Sequence, residues 1–198
     1  MIKPYREKQF GAPRMSTKKR GRPKGVIHGI SGEKSGVMKT LKLMAEKARG
    51  SKGKAEGAKN PEIRQMAIAI TQNCKVKDYK CEAASLLKWV QSNVRWVRDV
   101  TGVETVATPE RTLEFGGGDC DDLSTLLAAL GMSIGHTVRF KAIAADPNRK
   151  NSFSHVYCQF LLRGKWVSAD PSIQRPKKKL GWESPVKYKQ MEYPEDGI

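Results

Sequence analysis

The hydrophobic period of this 198-residue chain changes once, and that change limits the fold more than any other feature. From Val37 to about residue 130, several segments have apolar residues at intervals of three and four, which is typical of helices. From Thr137 onwards they alternate with polar residues, which is typical of strands. Helices followed by a run of strands predict an α+β fold, in which a buried helix packs on an antiparallel sheet.

Three helices are predicted ahead of the buried one. An apolar stripe with lysines between its members begins at Val37 and is closed by Gly50. We expect this basic helix to dock on its own domain, with a partner or a membrane surface as the alternative. Asn60-Pro61-Glu62 has the signature of a helix start. A further helix is predicted over 80–98, and a long connection without repeats follows from Asp99 to Gly118.

Positive charge is concentrated in the first part of the chain. Residues 1–60 contain 17 Lys and Arg against 4 Asp and Glu, whereas residues 61–198 contain 20 against 16. We therefore divide the sequence into an extended basic arm with a short helix and a linker (1–59), a domain (60–182) and a C-terminal tail (183–198). A basic arm of this kind is usually a contact with a polyanion, most often nucleic acid.

One stretch of the arm, Arg20-Gly21-Arg22-Pro23, resembles the AT-hook, which lies in the minor groove of A·T-rich DNA. Glycine and proline keep the backbone thin, and the arginines follow the negative potential of a narrow groove. A generic basic tail that binds DNA or RNA without sequence preference is the alternative. The predicted nucleic-acid-binding residues are Lys18, Lys19, Arg20, Arg22, Pro23 and Lys24.

Cys120 is the candidate nucleophile. A run of three glycines and Asp119 leads into it, and leucines at 123, 126, 127 and 130 place it in the first turn of a buried helix. The exposed N–H groups and positive dipole of a helix start favour the reactive thiolate. Asp119 is a natural N-cap, but Asp121 and Asp122 would repel a thiolate. A compensating cation is required, and we expect a histidine to supply it.

The spacing of two strands selects His155 as that histidine. If Arg163-Gly164 is the loop of a hairpin, paired positions sum to 327. His155 and Asp170 sum to 325, so they are diagonal neighbours on one sheet face. We expect the helix that carries Cys120 to lie across that face. The other two histidines are His28, in the arm, and His136, which we expect in a surface loop.

These three residues predict nucleophilic catalysis. The Cys120 thiolate would attack a carboxamide or peptide carbonyl, His155 would pass a proton to the leaving amine, and Asp170 would fix the imidazole. The Cys120 N–H is the expected oxyanion donor. Trp96 is a weak candidate for a second donor, and we expect it instead to be buried in the core. A structural cysteine and a merely hydrogen-bonded histidine are the alternatives to the whole site.

The remaining cysteines predict neither a disulfide frame nor a metal site. The N-terminus has no apolar signal core, and no stretch approaches the ~20 apolar residues of a membrane span. We therefore expect a cytoplasmic protein whose four cysteines are thiols. The CxxC spacing of a zinc site is absent, and we expect no cofactor and no metal.

Four motifs in combination resemble the transglutaminase-like cysteine-enzyme superfamily, in its bacterial and bacteriophage branch. The resemblance covers roughly Pro61 to Trp182. It implies a papain-like α+β fold, a Cys–His–Asp triad at Cys120, His155 and Asp170, and acyl transfer that ends in hydrolysis, deamidation or cross-linking. The motifs are 109–113 (PERTL), 118–122 (GDCDD), 153–157 (FSHVY) and 166–172 (WVSADPS).

Two classes of function follow. The leading hypothesis is a cysteine-dependent acyl-transfer enzyme, meaning a peptidase or amidase, a deamidase or a protein cross-linker, with a protein or peptide substrate and a nucleic-acid-binding arm. The alternative is a phage virion component that uses the enzyme-like domain as a scaffold and the arm to bind DNA or neighbouring subunits. In that case the protein is packaged in a virion. A DNA-binding regulator is a weaker third hypothesis, since no helix-turn-helix or zinc motif accompanies the hook.

Overall fold

The computed structural model describes residues 34–98 and 106–198, and these have the predicted α+β fold. The predicted DNA-binding residues of the arm, from Lys18 to Lys24, lie outside the described ranges. The helices are α1 (Lys34–Arg49), α2 (Pro61–Thr71), α3 (Tyr79–Asn93), α4 (Pro109–Phe115) and α5 (Cys120–Ser133), with a 3-10 turn at Gly57–Lys59. The strands are β1 (Arg95–Trp96), β2 (Gly117–Gly118), β3 (Val138–Ala144), β4 (His155–Leu162), β5 (Lys165–Ala169) and β6 (Lys189–Tyr193).

The basic helix α1 docks on its own domain, as its apolar stripe predicts. Leu41 and Met44 are fully buried and belong to the same hydrophobic core as the leucines of α5. Gly50 ends the helix with φ at +83°, and a Cβ there would lie 1.7 Å from the Glu56 carbonyl oxygen. Glycine is therefore required at this turn, because any side chain would collide with the returning backbone.

Helix α2 starts as predicted, whereas helix α3 is shorter than predicted. Asn60 caps α2 as expected, since its side-chain oxygen accepts from the Glu62 N–H at 2.8 Å. Helix α3, however, ends at Asn93 and not at 98, because Val94 turns to an extended conformation and Arg95–Trp96 pairs with Gly117–Gly118 as a parallel strand. Valines on either side of Trp96 favour a strand, and helical spacing of apolar residues cannot detect that preference.

The long connection before Cys120 contains helix α4, which we did not predict. Thr108 caps this helix by accepting a hydrogen bond from the Arg111 N–H, and Pro109 occupies its first turn. Gly116 ends it in the left-handed conformation, with φ at +66°. These are ordinary start and stop signals, and the short length of the helix between them hid its period.

Four strands form one antiparallel sheet in the order β5-β4-β3-β6. Leu162 lies opposite Lys165 and Cys158 opposite Ala169, so the predicted pairing sum of 327 is confirmed. Strand β6 comes from the segment predicted as a tail and pairs with β3. The domain boundaries at 60 and 182 stay a prediction.

The two faces of the sheet differ in character. Cys158 and Phe160 of β4 belong to the core beneath α5, where a Cβ added at Gly131 would lie 2.5 Å from the Phe160 ring. Tyr157 and Gln159 alternate with them along β4 and therefore face away from α5. This second face carries buried polar groups, and the candidate site lies at its end.

Two of the four cysteines are not thiols. Cys74 and Cys81 form a disulfide, whereas Cys120 and Cys158 are free, so the prediction of thiols is wrong for the first pair. The turn between α2 and α3 brings the two Cα atoms to 5.7 Å, a separation typical of disulfides. Within 34–98 and 106–198, no helix is both long and apolar enough to cross a bilayer.

Candidate functional site

Cys120 is the first residue of α5, and its thiol is partly exposed. Asp119 caps the helix by accepting from the N–H groups of Asp121 at 3.2 Å and Asp122 at 3.4 Å. At the first helical position the Cys120 N–H has no acceptor within the helix. The sulfur therefore lies at the positive end of α5, beside an N–H that can donate to a substrate.

The glycines before Cys120 allow three segments to meet. A Cβ on Gly118 would lie 2.5 Å from the Asp122 Cβ, and one on Gly117 would lie 3.0 Å from the Arg95 carbonyl oxygen. Larger residues would push β2 away from β1 and from the start of α5. The glycine run therefore fixes the backbone that leads into Cys120.

His155 and Asp170 are in direct contact. The His155 Nε2 atom lies 2.7 Å from Asp170 Oδ2, and the Asp170 side chain is only 2% exposed. The other carboxylate oxygen, Oδ1, accepts from the Ser172 N–H at 3.0 Å and from the Ser172 hydroxyl at 2.7 Å. Both oxygens of Asp170 are thus held, which fixes the plane of the carboxylate against the imidazole.

The cysteine also acts electrostatically on the imidazole. Burial by itself lowers the pKa of His155, but the hydrogen bonds and charges of Asp170 and Cys120 outweigh it and raise that pKa to about 10. Because Asp170 occupies Nε2, the other ring nitrogen, Nδ1, is the one left for Cys120. The ring is therefore charged at neutral pH, between a carboxylate and a sulfur.

The way in which Cys120 reaches His155 differs from our expectation. Helix α5 covers the other face of the sheet, and only its N-terminus comes to the end of β4, where Ser124 Oγ is 3.4 Å from the Val156 carbonyl oxygen. His155 is the first residue of β4, so its ring can meet the helix end beside the sheet. A nucleophile at a helix terminus requires the strand end and not the strand face.

Gln91, on α3, supports the segment that carries Asp170, and this role was not predicted from the sequence. Its side-chain amide donates to the carbonyl oxygens of Asp170 at 2.9 Å and Lys178 at 3.0 Å. It is buried on the core side of α3. A glutamine among the valines and leucines of a predicted apolar face was the available signal, because a buried amide requires partners.

Lys47 is a second residue whose place near the site was not predicted from the sequence. Its ammonium donates to the Val106 carbonyl oxygen; burial lowers the pKa of Lys47, and the nearby Asp122 carboxylate opposes that shift. Asp122 also accepts from the Ala107 N–H at 2.6 Å. Helix α1 therefore brings a further cation, Lys47, near the acids at the start of α5, in addition to the expected histidine.

Two further side chains are placed differently from their predictions. His136 is only 7% exposed, not in a surface loop, because it packs between the rings of Tyr79 and Phe160 and lies 2.9 Å from Glu82. Burial lowers the pKa of His136, and Glu82 opposes that shift. Trp96 is 44% exposed, not buried in the core, because the helix ends before it.

A buried polar network lies on the same sheet face as His155. Lys141 lies 3.3 Å from Glu183 and 3.5 Å from Glu192, and Glu183 also accepts from Lys187 and Ser168. Burial raises the pKa of Glu183, but these donors and cations outweigh it and lower the pKa to about 2. The network anchors the segment after β5 onto the sheet.

The start of α5 also brings three potential metal ligands together. The ligand atoms of Asp119, Cys120 and Asp121 lie within 4.8 Å of one another. Their closeness follows from consecutive positions in one helical turn, and Asp119 already serves as the N-cap. The arrangement is explained by helix capping.

Comparison with family models identifies the superfamily. Residues 64–171, which include Cys120, His155 and Asp170, match the model of the Transglutaminase-like superfamily. The chain belongs to the transglutaminase-like superfamily. The match begins within α2 and ends one residue after Asp170, so α1 and β6 of this transglutaminase-like protein lie outside it.

Solved structures share the fold at low sequence identity. A candidate protease of Parabacteroides distasonis is 12% identical with a TM-score of 0.51, over 76% of this chain and 31% of that one. A candidate cysteine protease of Cytophaga hutchinsonii is 19% identical with a TM-score of 0.49, over 68% and 43%. LapG of Legionella pneumophila is 16% identical with a TM-score of 0.45, over 73% and 80%.

The transglutaminase-like chain therefore spans less than half the length of the first two proteins. At 12% identity, the structure from Parabacteroides distasonis shows a shared fold and nothing finer. Among proteins of curated function, none matches the sequence significantly.

Proposed function

We propose that this transglutaminase-like protein is a cysteine-dependent acyl-transfer enzyme. Cys120 is the nucleophile, His155 is the general base and acid, and Asp170 orients the imidazole. The observation that carries the proposal is the His155 ring, bound at Nε2 by Asp170 and charged beside Cys120. A structural cysteine and a surface histidine do not require a buried carboxylate with both oxygens occupied.

The reaction proceeds through an acyl thioester. The Cys120 sulfur attacks a peptide or carboxamide carbonyl carbon, and the resulting oxyanion accepts from the Cys120 N–H at the start of α5. His155 donates its Nδ1 proton to the leaving amine or ammonia as the C–N bond breaks. An incoming water or lysine amine then attacks the thioester, His155 accepts its proton, and the thiolate leaves.

Three outcomes share this chemistry. Water acting on a peptide thioester gives a peptidase, water acting on a side-chain thioester gives an amidase or deamidase, and an amine gives a cross-link. A protein or peptide substrate suits all three, and the steps above require neither a cofactor nor a metal.

The reactivity of Cys120 tests this proposal. We expect iodoacetamide to alkylate Cys120 at least about tenfold faster at neutral pH in the native protein than in His155→Gln, because the imidazolium stabilises the thiolate. The His155 pKa of about 10 keeps the imidazole charged throughout the neutral range. The two rates should therefore differ at neutral pH and converge above about pH 8.5, the pKa of a free thiol, where the cysteine of His155→Gln also ionises. Mass spectrometry of the alkylated peptide gives the rate.

Cys158 provides the internal control, because burial raises the pKa of its thiol. Equal rates of Cys120 alkylation in the native protein and His155→Gln at neutral pH would overturn the proposal that this protein is an enzyme and favour the scaffold alternative. In that alternative the domain is a structural component of a phage virion.

We further propose that the arm binds nucleic acid, through Lys18, Lys19, Arg20, Arg22, Pro23 and Lys24. The support is the charge of residues 1–60, with 17 basic against 4 acidic residues, and the likeness of 20–23 to an AT-hook. An enzyme with such an arm suits the bacterial or bacteriophage branch of the superfamily and an association with DNA or with neighbouring virion subunits.

The host cytoplasm and the virion are the two proposed locations. The Cys74–Cys81 disulfide favours the second, because a reducing cytosol keeps most thiols reduced.

A further inference from the structure

Two segments of the domain carry an excess of positive charge that the rest of the domain lacks. Residues 83–98 and 171–182 contain seven basic residues and no acidic ones, whereas the remainder of 61–198 contains 13 basic and 16 acidic residues. We call these seven the basic rim: Lys88, Arg95, Arg98, Arg175, Lys177, Lys178 and Lys179.

The two segments lie side by side. The Gln174 side chain donates to the Val94 carbonyl oxygen at 2.6 Å, and the Lys177 ammonium donates to the Ser92 hydroxyl at 2.9 Å. Gln91 links α3 to the Lys178 carbonyl oxygen. The seven cations therefore belong to one surface, although about 80 residues separate the segments in the chain.

The basic rim borders the candidate site through both segments. Residues 171–182 follow directly on Asp170, and Gln91 holds the carbonyl oxygens of Asp170 and Lys178 together. On the other side, Arg95 pairs with Gly117, three residues before Cys120. The rim therefore extends from the segment after Asp170 to the strand that pairs with the backbone leading into Cys120.

Within the described residues, no acidic side chain forms an ion pair with the rim. Six of the seven residues are exposed, Lys178 is half-buried, and none has an ion-pair partner within 34–98 or 106–198. Arg98 lies over the Trp96 ring and Lys178 over the Trp182 ring. Asp99, next to Arg98, lies outside the described residues. Unpaired cations that repel one another in a limited area favour an anionic partner.

We propose that the basic rim binds an acidic segment of the polypeptide substrate and guides it to Cys120; this rests on the proposed function. Charge alone would also suit a nucleic acid. A nucleic acid, however, contains no peptide bond or carboxamide side chain on which the thiolate could act, whereas a segment rich in Asp and Glu contains both the charge and the carbonyl. The exposed Trp96 and Val97 add apolar contact for side chains between the acids.

Binding of a labelled peptide tests the rim. The full chain with Cys120→Ser is titrated against a fluorescent glutamate-rich peptide that contains glutamine, and anisotropy gives Kd at several salt concentrations. The rim variant changes Arg95, Arg98, Arg175, Lys177 and Lys179 to Gln. The control variant changes five exposed lysines elsewhere to Gln: Lys39, Lys52, Lys75, Lys80 and Lys165. Both variants retain the arm, so its contribution cancels.

We expect the rim variant to bind the peptide about tenfold more weakly than the control variant, with a smaller dependence on salt. Equal Kd values for the two variants would overturn the proposal. The same titration is made with a single-stranded oligonucleotide. If the rim variant loses more affinity for the oligonucleotide than for the peptide, the partner of the rim is a nucleic acid and not an acidic peptide. The alkylation of Cys120 is scored separately, so a failure of the enzyme is distinguishable from a failure of the rim.

Discussion

At the scale of single residues, Asp170 shows what can be anticipated from local spacing. The hairpin loop at Arg163-Gly164 and the alternation of strands predict that His155 and Asp170 are neighbours, and the 2.7 Å contact between them follows that register. The electrostatic influence of Asp122 on Lys47 could not be predicted in this way. Lys47 lies on α1 and Asp122 on α5, and no period or register relates the two helices.

Ser172 provides a test at the same scale. We expect Ser172→Ala to slow the alkylation of Cys120 roughly tenfold, because Asp170 loses its hydroxyl donor and holds the imidazole less well. Ser172→Thr, which retains a hydroxyl, should restore the rate. The His155 pKa should also fall in Ser172→Ala, so the imidazole should lose its charge, and its effect on the rate, at a lower pH.

A structural role alone would change the melting temperature and leave that pH unchanged. Ser184→Ala, which also removes a serine hydroxyl from the segment after β5, is the matched control. An unchanged alkylation rate in Ser172→Ala would show that the backbone N–H of Ser172 suffices to hold Asp170.

At the scale of elements, the long periodic segments were predictable and the short ones were not. Helices α1, α2 and α5 and the β4–β5 hairpin each contain enough residues for a period or a cap to stand out. Strands β1 and β2 have two residues each, and their pairing depends on a contact between distant segments. Strand β6 lies at the sheet edge with mostly polar or half-buried residues, so its sequence does not alternate clearly.

The network around Lys141 joins β3, β5 and β6 to the segment that contains Glu183, and it contributes to stability in a pH-dependent way. The Glu183 pKa is lowered from 4.5 to about 2, so the folded state favours the ionised form. The resulting stabilisation is present above about pH 4.5 and is lost as the pH falls through about 2. We expect Glu183→Gln to reduce the unfolding free energy by roughly 1–3 kcal/mol at neutral pH and by much less near pH 2.

Urea unfolding of both proteins at a series of pH values measures this difference. Glu195→Gln, at an exposed position, should show no such dependence. A constant difference between Glu183→Gln and the native protein at every pH would assign the effect of Glu183 to packing.

At the scale of the whole molecule, the positive charge is unevenly distributed. The described part of the chain forms one core, whereas the arm and the basic rim concentrate the positive charge in the first sixty residues and beside the site. Composition predicted the first concentration but not the second, because residues 83–98 and 171–182 become neighbours only when Gln91, Ser92 and Val94 contact the loop after Asp170.

The arm makes a prediction at this scale. We expect the full chain to bind an A·T-rich duplex several-fold more tightly than a G·C-rich duplex of equal length, because a narrow minor groove attracts arginine. Changing Arg20 and Arg22 to Gln should abolish the preference, whereas changing Lys3 and Lys8 to Gln should weaken both complexes equally. Fluorescence anisotropy at fixed salt measures all six affinities, those of the three proteins for the two duplexes. If the unaltered chain binds both duplexes with equal affinity, the arm is a generic basic tail and not an AT-hook.

The pairing of Cys74 with Cys81 has a practical consequence. With those two sulfurs joined and Cys158 fully buried, Cys120 is the one accessible thiol among the four cysteines of the oxidised chain. A maleimide fluorophore added without reductant therefore attaches at a single position, at the start of α5. The natural sequence thus provides its own optical reporter of what binds beside that position, with no engineered attachment point.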